Sequence, residues 1–208
     1  MPQITEITKQ KRNKARYNIF LDGEYAGSLN DESLVLNNIK PGVDISSQDF
    51  KAIIQHDNEK YAFNLAIKYI SLKRRTVAET KKYLVGKEID AAITETALEK
   101  VLSYGYLNDL EYANEFVSYY INAGKFGKTT VAYKLKTKGV DQETIESAMV
   151  KFSADTEEAI ARNHYAKLRE KYRDLSPYER KAKINRALTS KGFSFDIISA
   201  VVSLEDDE

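Results

Sequence analysis

The sequence predicts a mainly α-helical protein, with tandem three-helix repeats in an elongated array preceded by a small N-terminal β-hairpin or sheet with a helix. Three observations carry this. A phrase of leucine and lysine recurs at Leu84–Ile89, Leu135–Val140 and Leu188–Phe193, with separations of 51 and 53 residues. A near-constant period of this size marks tandem supersecondary units. Apolar residues alternate with period two only near the N-terminus, and from about residue 60 they recur at every third and fourth position behind helix-capping residues.

Taken in order, Tyr17, Ile19 and Leu21 alternate with Asn18, Phe20 and Asp22, and Asp22-Gly23 leads into Tyr25, Gly27 and Leu29. This is the pattern of a β-hairpin closed by a tight turn of positive φ. Ile4 and Ile7 are expected to add a third strand across the polar link Lys9–Lys14. A sheet this small needs a cover on one face. The candidates are the segment Leu34, Val35 and Leu36 and a helix from Ser47 to about Gln55, with Lys40-Pro41-Gly42 as a turn between them.

The first repeat reads as three helices. Ala62, Leu65, Ala66, Tyr69 and Ile70 make the first, Val77, Thr80 and Leu84 the second behind a Thr76/Glu79 capping box, and Ile93, Ala97, Leu98 and Val101 the third behind Asp90. Gly105 fits a left-handed helix stop, and Asn108 with Glu111 reads as the box that opens the second repeat. That repeat shows Ala113, Phe116, Val117 and Tyr120, then Val131 and Leu135, then Ile145, Ala148, Met149 and Phe152. The third shows Ala161, Tyr165, Leu168 and Tyr172, then Ile184 and Leu188, then Ile197, Val201 and Leu204. Its middle helix opens at Ser176-Pro177-Tyr178-Glu179, a box with proline at the first helical position. The expected domains are 1–58, 59–107, 108–154 and 155–208. In the repeated phrase, Lys87, Lys138 and Lys191 are expected in the last turn of a middle helix, complementing its dipole, with Gly139 and Gly192 as caps and Glu88 as the departure in the first copy.

Lys and Arg number 32 against 31 Asp and Glu, for a net charge of +1. No global field draws the molecule to nucleic acid or membrane, so any basic site must be local. The absence of cysteine excludes disulfides, thiol catalysis and cysteine-ligated zinc, and suits a reducing compartment. His56 and His164 are too few and too separated for a metal site, and His164 reads as a partly buried structural residue. Met1–Glu6 lacks the apolar core of a signal peptide, and no run approaches the roughly 18 apolar residues of a membrane span. A cytoplasmic protein without membrane contact is expected.

Gly127-Lys128-Thr129 matches the end of a phosphate-binding loop, but Asn122 stands where the first glycine belongs and a helix precedes it instead of a strand. No nucleophile elbow, metal or paired-carboxylate pattern joins the remaining serines, histidines and acids, so neither a catalytic residue nor a cofactor is expected. What stands out is the placement of cations. Lys73, Arg74 and Arg75 fill the turn between the first and second helices of repeat one, Lys125 and Lys128 the same turn in repeat two, and Lys171, Arg173, Arg180 and Lys181 flank it in repeat three. There is no acid between Phe116 and Val140, and between Arg162 and Lys191 ten basic residues face only Glu170, Asp174 and Glu179. Stacked repeats bring equivalent turns into a row, so these nine residues are expected to form a basic stripe for a nucleic-acid backbone or an acidic groove. Lysine-rich turns are also ordinary solvated surface. Tyrosines 104, 106, 119, 120 and 133 offer stacking surfaces beside the stripe, with Tyr120 at core spacing.

Tyr69-Ile70-Ser71-Leu72-Lys73-Arg74-Arg75-Thr76-Val77-Ala78-Glu79, Gly105-Tyr106-Leu107-Asn108-Asp109 with Tyr112-Ala113 and Phe116-Val117, and Gly124 and Gly127 with Leu135 and Lys138-Gly139-Val140 together resemble the RecX regulatory proteins. The hairpin around Asn18–Glu24 and the segment through Pro41-Gly42 resemble the extension of longer Gram-positive-type members. The third repeat fits more loosely. The resemblance implies helical repeats without a catalytic centre that modulate the RecA recombinase, lodging in the groove of its filament on single-stranded DNA and restraining ATP hydrolysis and strand exchange. Single-stranded DNA is then contacted directly or through the filament, and a monomer is expected. The alternatives are a nucleic-acid-binding repeat protein that acts independently of RecA, and a helical scaffold for another protein.

Overall fold

The computed structural model describes residues 1–11 and 13–203. Strands β1 (Ile4–Lys9), β2 (Arg16–Leu21) and β3 (Glu24–Asn30) form an antiparallel sheet in the order β1-β2-β3. The β2–β3 turn holds Asp22 at φ +48° and Gly23 at +86°, the paired positive angles that a two-residue hairpin of the right twist requires. Ile4, Ile19 and Leu29 are fully buried under Leu34 of α1 (Asp31–Leu36) and Phe50, Ile53 and Ile54 of α2 (Ser47–Ser71). Of the segment read as a cover, Val35 and Leu36 stay exposed and only Leu34 serves.

Helix α2 corrects one expectation. Instead of a helix ending near Gln55 and another opening near residue 60, one helix of 25 residues runs through the expected boundary at residue 58. No glycine or proline interrupts it between Ser47 and Ser71. The polar run His56–Lys60, which resembles a break, serves a buried network. Asp57 is fully buried, pairs with Arg16 at 3.0 Å and accepts hydrogen bonds from Ser33 Oγ at 2.6 Å and the Asn30 N–H at 3.2 Å.

The C-terminal part of α2 with α3 (Val77–Val85) and α4 (Ala91–Ser103) makes the first three-helix group. Helices α5 (Asp109–Ala123), α6 (Lys128–Thr137) and α7 (Gln142–Met149) make the second, and α8 (Ala154–Lys171), α9 (Pro177–Ser190) and α10 (Phe195–Ser203) the third. The fold is therefore the mainly α repeat architecture that the sequence predicts. The residues gather into two compact units, Met1–Lys73 with Thr80–Tyr106, and Arg74–Glu79 with Leu107 onward. The first unit adds to the sheet core a helical core of Ala62, Ala66, Leu84, Ala97, Leu98 and Val101. The second has one continuous core across α5–α10, in which Val117, Val131, Leu135, Phe152 and Leu188 are fully buried. Leu204, expected on its last helix, lies outside the described residues.

The caps follow the local chemistry with one exception. Asp90 accepts from the Ala92 and Ile93 N–H groups, and Ser176 with Glu179 closes a full capping box around Pro177. Asn108 accepts from the Glu111 N–H at 2.9 Å, but the Glu111 carboxylate turns to Arg74 at 3.2 Å and leaves that box half made.

Candidate functional site

The first two basic turns lie beside two joints of the same kind in the second unit. At the first, Thr76 Oγ1 donates to the Lys138 carbonyl at 2.7 Å, the Val77 N–H donates to Asp109 Oδ1 at 3.0 Å, and Lys138 Nζ donates to Glu79 Oε1 at 2.6 Å. At the second, the Gly127 N–H donates to the Lys191 carbonyl at 2.9 Å, the Thr129 N–H to the Gly192 carbonyl at 3.2 Å, and the Lys128 N–H to Glu157 Oε1 at 2.9 Å. Each joint sets the N-terminus of one middle helix on the Lys-Gly end of the next and satisfies orphan groups of both. The closeness of approach makes glycine obligatory. A Cβ on Gly139, at φ +79°, would lie 2.2 Å from the Ala78 Cβ, and one on Gly192, at φ +83°, would lie 2.3 Å from Thr130 Oγ1.

The lysines of the repeated phrase are therefore placed differently from the expectation. Lys138 and Lys191 are C-cap residues, and Lys87 lies beyond the end of α3. The Lys138 ammonium serves the N-terminus of α3 through Glu79 instead of its own helix end. Glu88 takes φ +60° without being glycine, so the first copy adopts the same left-handed stop with a side chain attached. At the first joint, burial works to raise the Glu79 pKa. The hydrogen bonds from Lys138 and the Thr76 N–H, with the charges of Lys138 and Arg75, outweigh it and hold the carboxyl below its ordinary value. Lys138 is raised by its hydrogen bond to Glu79. Asp109 is raised by burial, against the opposing Val77 N–H.

The joints also dispose of the phosphate-loop reading of Gly127-Lys128-Thr129. Gly127 is the N-cap of α6, a helix precedes it, and all three N–H groups of the tripeptide already donate to protein oxygens. His164 fits its structural reading, with Nε2 2.9 Å from the Gly124 carbonyl at the end of α5. Burial and the nearby Lys191 lower its pKa.

The nine basic candidates separate into groups. Lys73 is exposed at the end of a segment of the first unit, and the other eight belong to the second. Arg74 is held by Glu111 at 3.2 Å and Glu115 at 3.0 Å, while Arg75 is half-buried beside Glu79 and Lys138. In the third corner Arg173 pairs with Glu170 at 2.6 Å, and Arg180 donates to the carbonyls of Arg173 and Leu175, tying the turn. Lys171 reaches over Tyr172, and Lys181 lines a groove of roughly 310 Å³ with Arg169, Arg180 and Tyr165.

The second corner gathers several lysines beside aromatic rings. Among the described residues, Lys125 and Lys128 have no carboxylate on their ammonium groups, and the same holds for Lys134, Lys136 and Lys191 nearby in the chain or across the joint. Lys134 Nζ lies 4.9 Å from the Phe126 ring centre and 5.8 Å from that of Tyr120, and Lys191 Nζ lies 5.9 Å from Phe126. Sequence reasoning missed Lys134 and Lys191 as members of this cluster, although the acid-free run from Phe116 to Val140 is its sequence signal. Of the tyrosines, Tyr119 and Tyr133 are exposed, and Tyr120 packs against the core as its spacing predicts. Tyr104 and Tyr106 contact each other and, through Tyr104, Phe63 in the first unit.

A small sheet followed in the chain by three three-helix groups defines a tandem helical-repeat protein. The chain matches the family models for the regulatory protein RecX N-terminal domain over residues 2–46 and for the first, second and third three-helix domains of RecX over 62–100, 108–149 and 155–202. It belongs to the RecX family of regulatory proteins. It is 36% identical over 211 residues to the Bacillus subtilis regulatory protein RecX, covering 100% of this chain and 80% of that protein. The Bacillus licheniformis protein of the same name is 37% identical over 100% of this chain and 79% of its own length. Among solved structures, a regulatory protein RecX superposes with a TM-score of 0.73 at 27% identity over 98% of this chain and 100% of that one. RecX from Lactobacillus salivarius superposes with 0.69 at 25% identity over 74% and 99%. Among the described residues no helix is long and apolar enough to cross a membrane.

Proposed function

We propose that the protein is a non-enzymatic cytoplasmic regulator that binds the RecA recombinase filament on single-stranded DNA and modulates, mostly by inhibiting, its ATPase and strand exchange. The observation that carries this reading, beyond family membership, is the set of lysines around the second corner that no carboxylate of the described residues neutralises. A filament groove presents phosphates and acidic side chains, and cations without internal partners are the ones available to them. The nine residues Lys73, Arg74, Arg75, Lys125, Lys128, Lys171, Arg173, Arg180 and Lys181 form the candidate contact set, of which Lys73, Lys125, Lys128 and Lys171 have no carboxylate partner among the described residues.

The test is RecA-dependent ATPase activity on single-stranded DNA, with and without the protein. The wild type should lower turnover, and joint replacement of Lys73, Arg74, Arg75, Lys125 and Lys128 by alanine should weaken that effect while circular dichroism reports unchanged helix content. Unchanged inhibition by the folded variant would move the contact away from these corners. A second reading, nucleic-acid binding independent of RecA, is favoured by the aromatic rings beside Lys134, and it predicts affinity for bare DNA that falls with salt.

A further inference from the structure

We infer that the second unit carries a stacking platform for single-stranded nucleic acid, in which Tyr119 offers its ring to a base while Lys134 and Lys191 take the flanking phosphates. The inference rests on the reading that the protein works on single-stranded DNA, and it specifies a direct contact that needs no recombinase.

The rings form a supported cluster. Tyr120 and Phe126 are half-buried against the core of the unit, with centroids 5.7 Å apart, and Phe116 braces Tyr120 from 4.8 Å. Tyr119 stands edge-on to Tyr120 at 5.2 Å and 85°, and is itself 63% exposed. A ring fixed by one edge and open to solvent loses little freedom when a base settles on it, which is what a stacking surface needs. The faces of Tyr120 and Phe126 are already occupied by Lys134 and Lys191, so Tyr119 is the ring of the cluster open to a base.

Charge favours the same ligand. The run from Phe116 to Val140 contains no acid, and Glu115 just before it is held by Arg74. A strand lying on α5 would therefore meet Lys125, Lys134 and Lys191 without an opposing carboxylate from this run. Lysines alone would bind any polyanion, including duplex DNA or an acidic peptide. An open ring beside them discriminates, because duplex bases are paired and stacked internally while those of a single strand can leave the strand axis and stack on a side chain. Stacking of this kind tolerates any base, because every base has a π-face.

The experiment uses the full chain, a fluorescently labelled oligothymidylate and no recombinase, with binding read by anisotropy. Tyr119→Ala should weaken binding by about 5- to 150-fold, the range of a lost base–aromatic stack. Tyr119→Phe should bind as wild type, and Tyr119→Leu, which keeps apolar bulk without a ring, should behave like alanine. Lys134→Ala and Lys191→Ala should each weaken binding and make it less salt-sensitive. A duplex of equal length should bind more weakly and be indifferent to Tyr119→Ala. The platform is overturned if the wild type does not bind the oligonucleotide, if Tyr119→Ala and Tyr119→Leu bind as wild type, or if Tyr119→Ala weakens duplex equally. It is also overturned if an acidic peptide displaces the strand and binds with an affinity insensitive to Tyr119. Because RecA is absent, each of these results is separate from the ATPase result. A wild type that binds the strand but leaves RecA turnover unchanged would overturn the regulatory reading alone.

Discussion

Asp57 lies in the middle of α2, fully buried, paired with Arg16 and accepting from Ser33 Oγ and the Asn30 N–H. Replacing it with alanine would leave Arg16, itself 5% exposed, as an uncompensated buried cation. The expected cost is about 3 to 5 kcal/mol in urea unfolding, larger than for any surface ion pair in the chain. His164 is legible at the same scale, because its Nε2 meets the Gly124 carbonyl while burial and Lys191 disfavour its protonation. Its folded pKa lies below the ordinary 6.5. The unfolded chain therefore takes up the proton first as pH falls, and stability present above 6.5 declines below that value until the folded protein also protonates. Unfolding measured between pH 7.5 and 5.5 should show this decline, and His164→Gln should flatten it. Loss at lower pH has a separate source in Glu79, whose stabilising charge disappears as pH falls through its depressed folded value.

At the scale of elements, the informative positions are the glycines that follow the middle helices. Gly139 and Gly105 share positive φ, +79° and +70°, but only Gly139 has a neighbour in the way. Gly105→Ala should cost about 1 kcal/mol for the left-handed backbone alone. Gly139→Ala must also push Ala78 away and open the joint around Lys138, so it should cost roughly 1 to 3 kcal/mol more. Equal losses in the two variants, measured by denaturant midpoints, would mean that the joint adapts and is not a tight seat. The head of α9 differs from those of α3 and α6. Pro177 has no N–H where Val77 and Lys128 donate to a carboxylate of the following repeat, and Tyr178 stands exposed where α3 has the small Ala78. The joint chemistry made twice in the second unit is therefore not offered a third time.

For the molecule as a whole, near balance of charge decides the form that nucleic-acid binding can take. With a net charge of +1, long-range attraction is weak, and affinity must come from a small cluster of phosphate contacts with stacking. If Lys125, Lys134 and Lys191 each neutralise one phosphate of a single strand, log affinity should fall with log salt at a slope of about −2. A slope several times steeper would require all nine basic residues to act together, including those that the fold has engaged elsewhere. Titration of the oligonucleotide at stepped sodium chloride concentrations measures it.

Much of this protein was legible in the order of its residues, because the signals involved are local. The Asp22-Gly23 turn, the Ser176/Glu179 box and the spacing of Val131 and Leu135 each depend on residues within a turn or two of one another, and the structure places all of them as the pattern implies. The candidate site was legible only as a list of cations. Which of them are engaged was decided in part by partners brought from far along the chain, as Glu111 and Glu115 are for Arg74. The continuity of α2 was decided the same way, since the residues that look like its break are the ones Arg16 and Ser33 require. Helix caps and periodicity are written in the backbone chemistry of neighbouring residues, whereas charge neutralisation is a property of distances in space, and only the folded chain sets those distances.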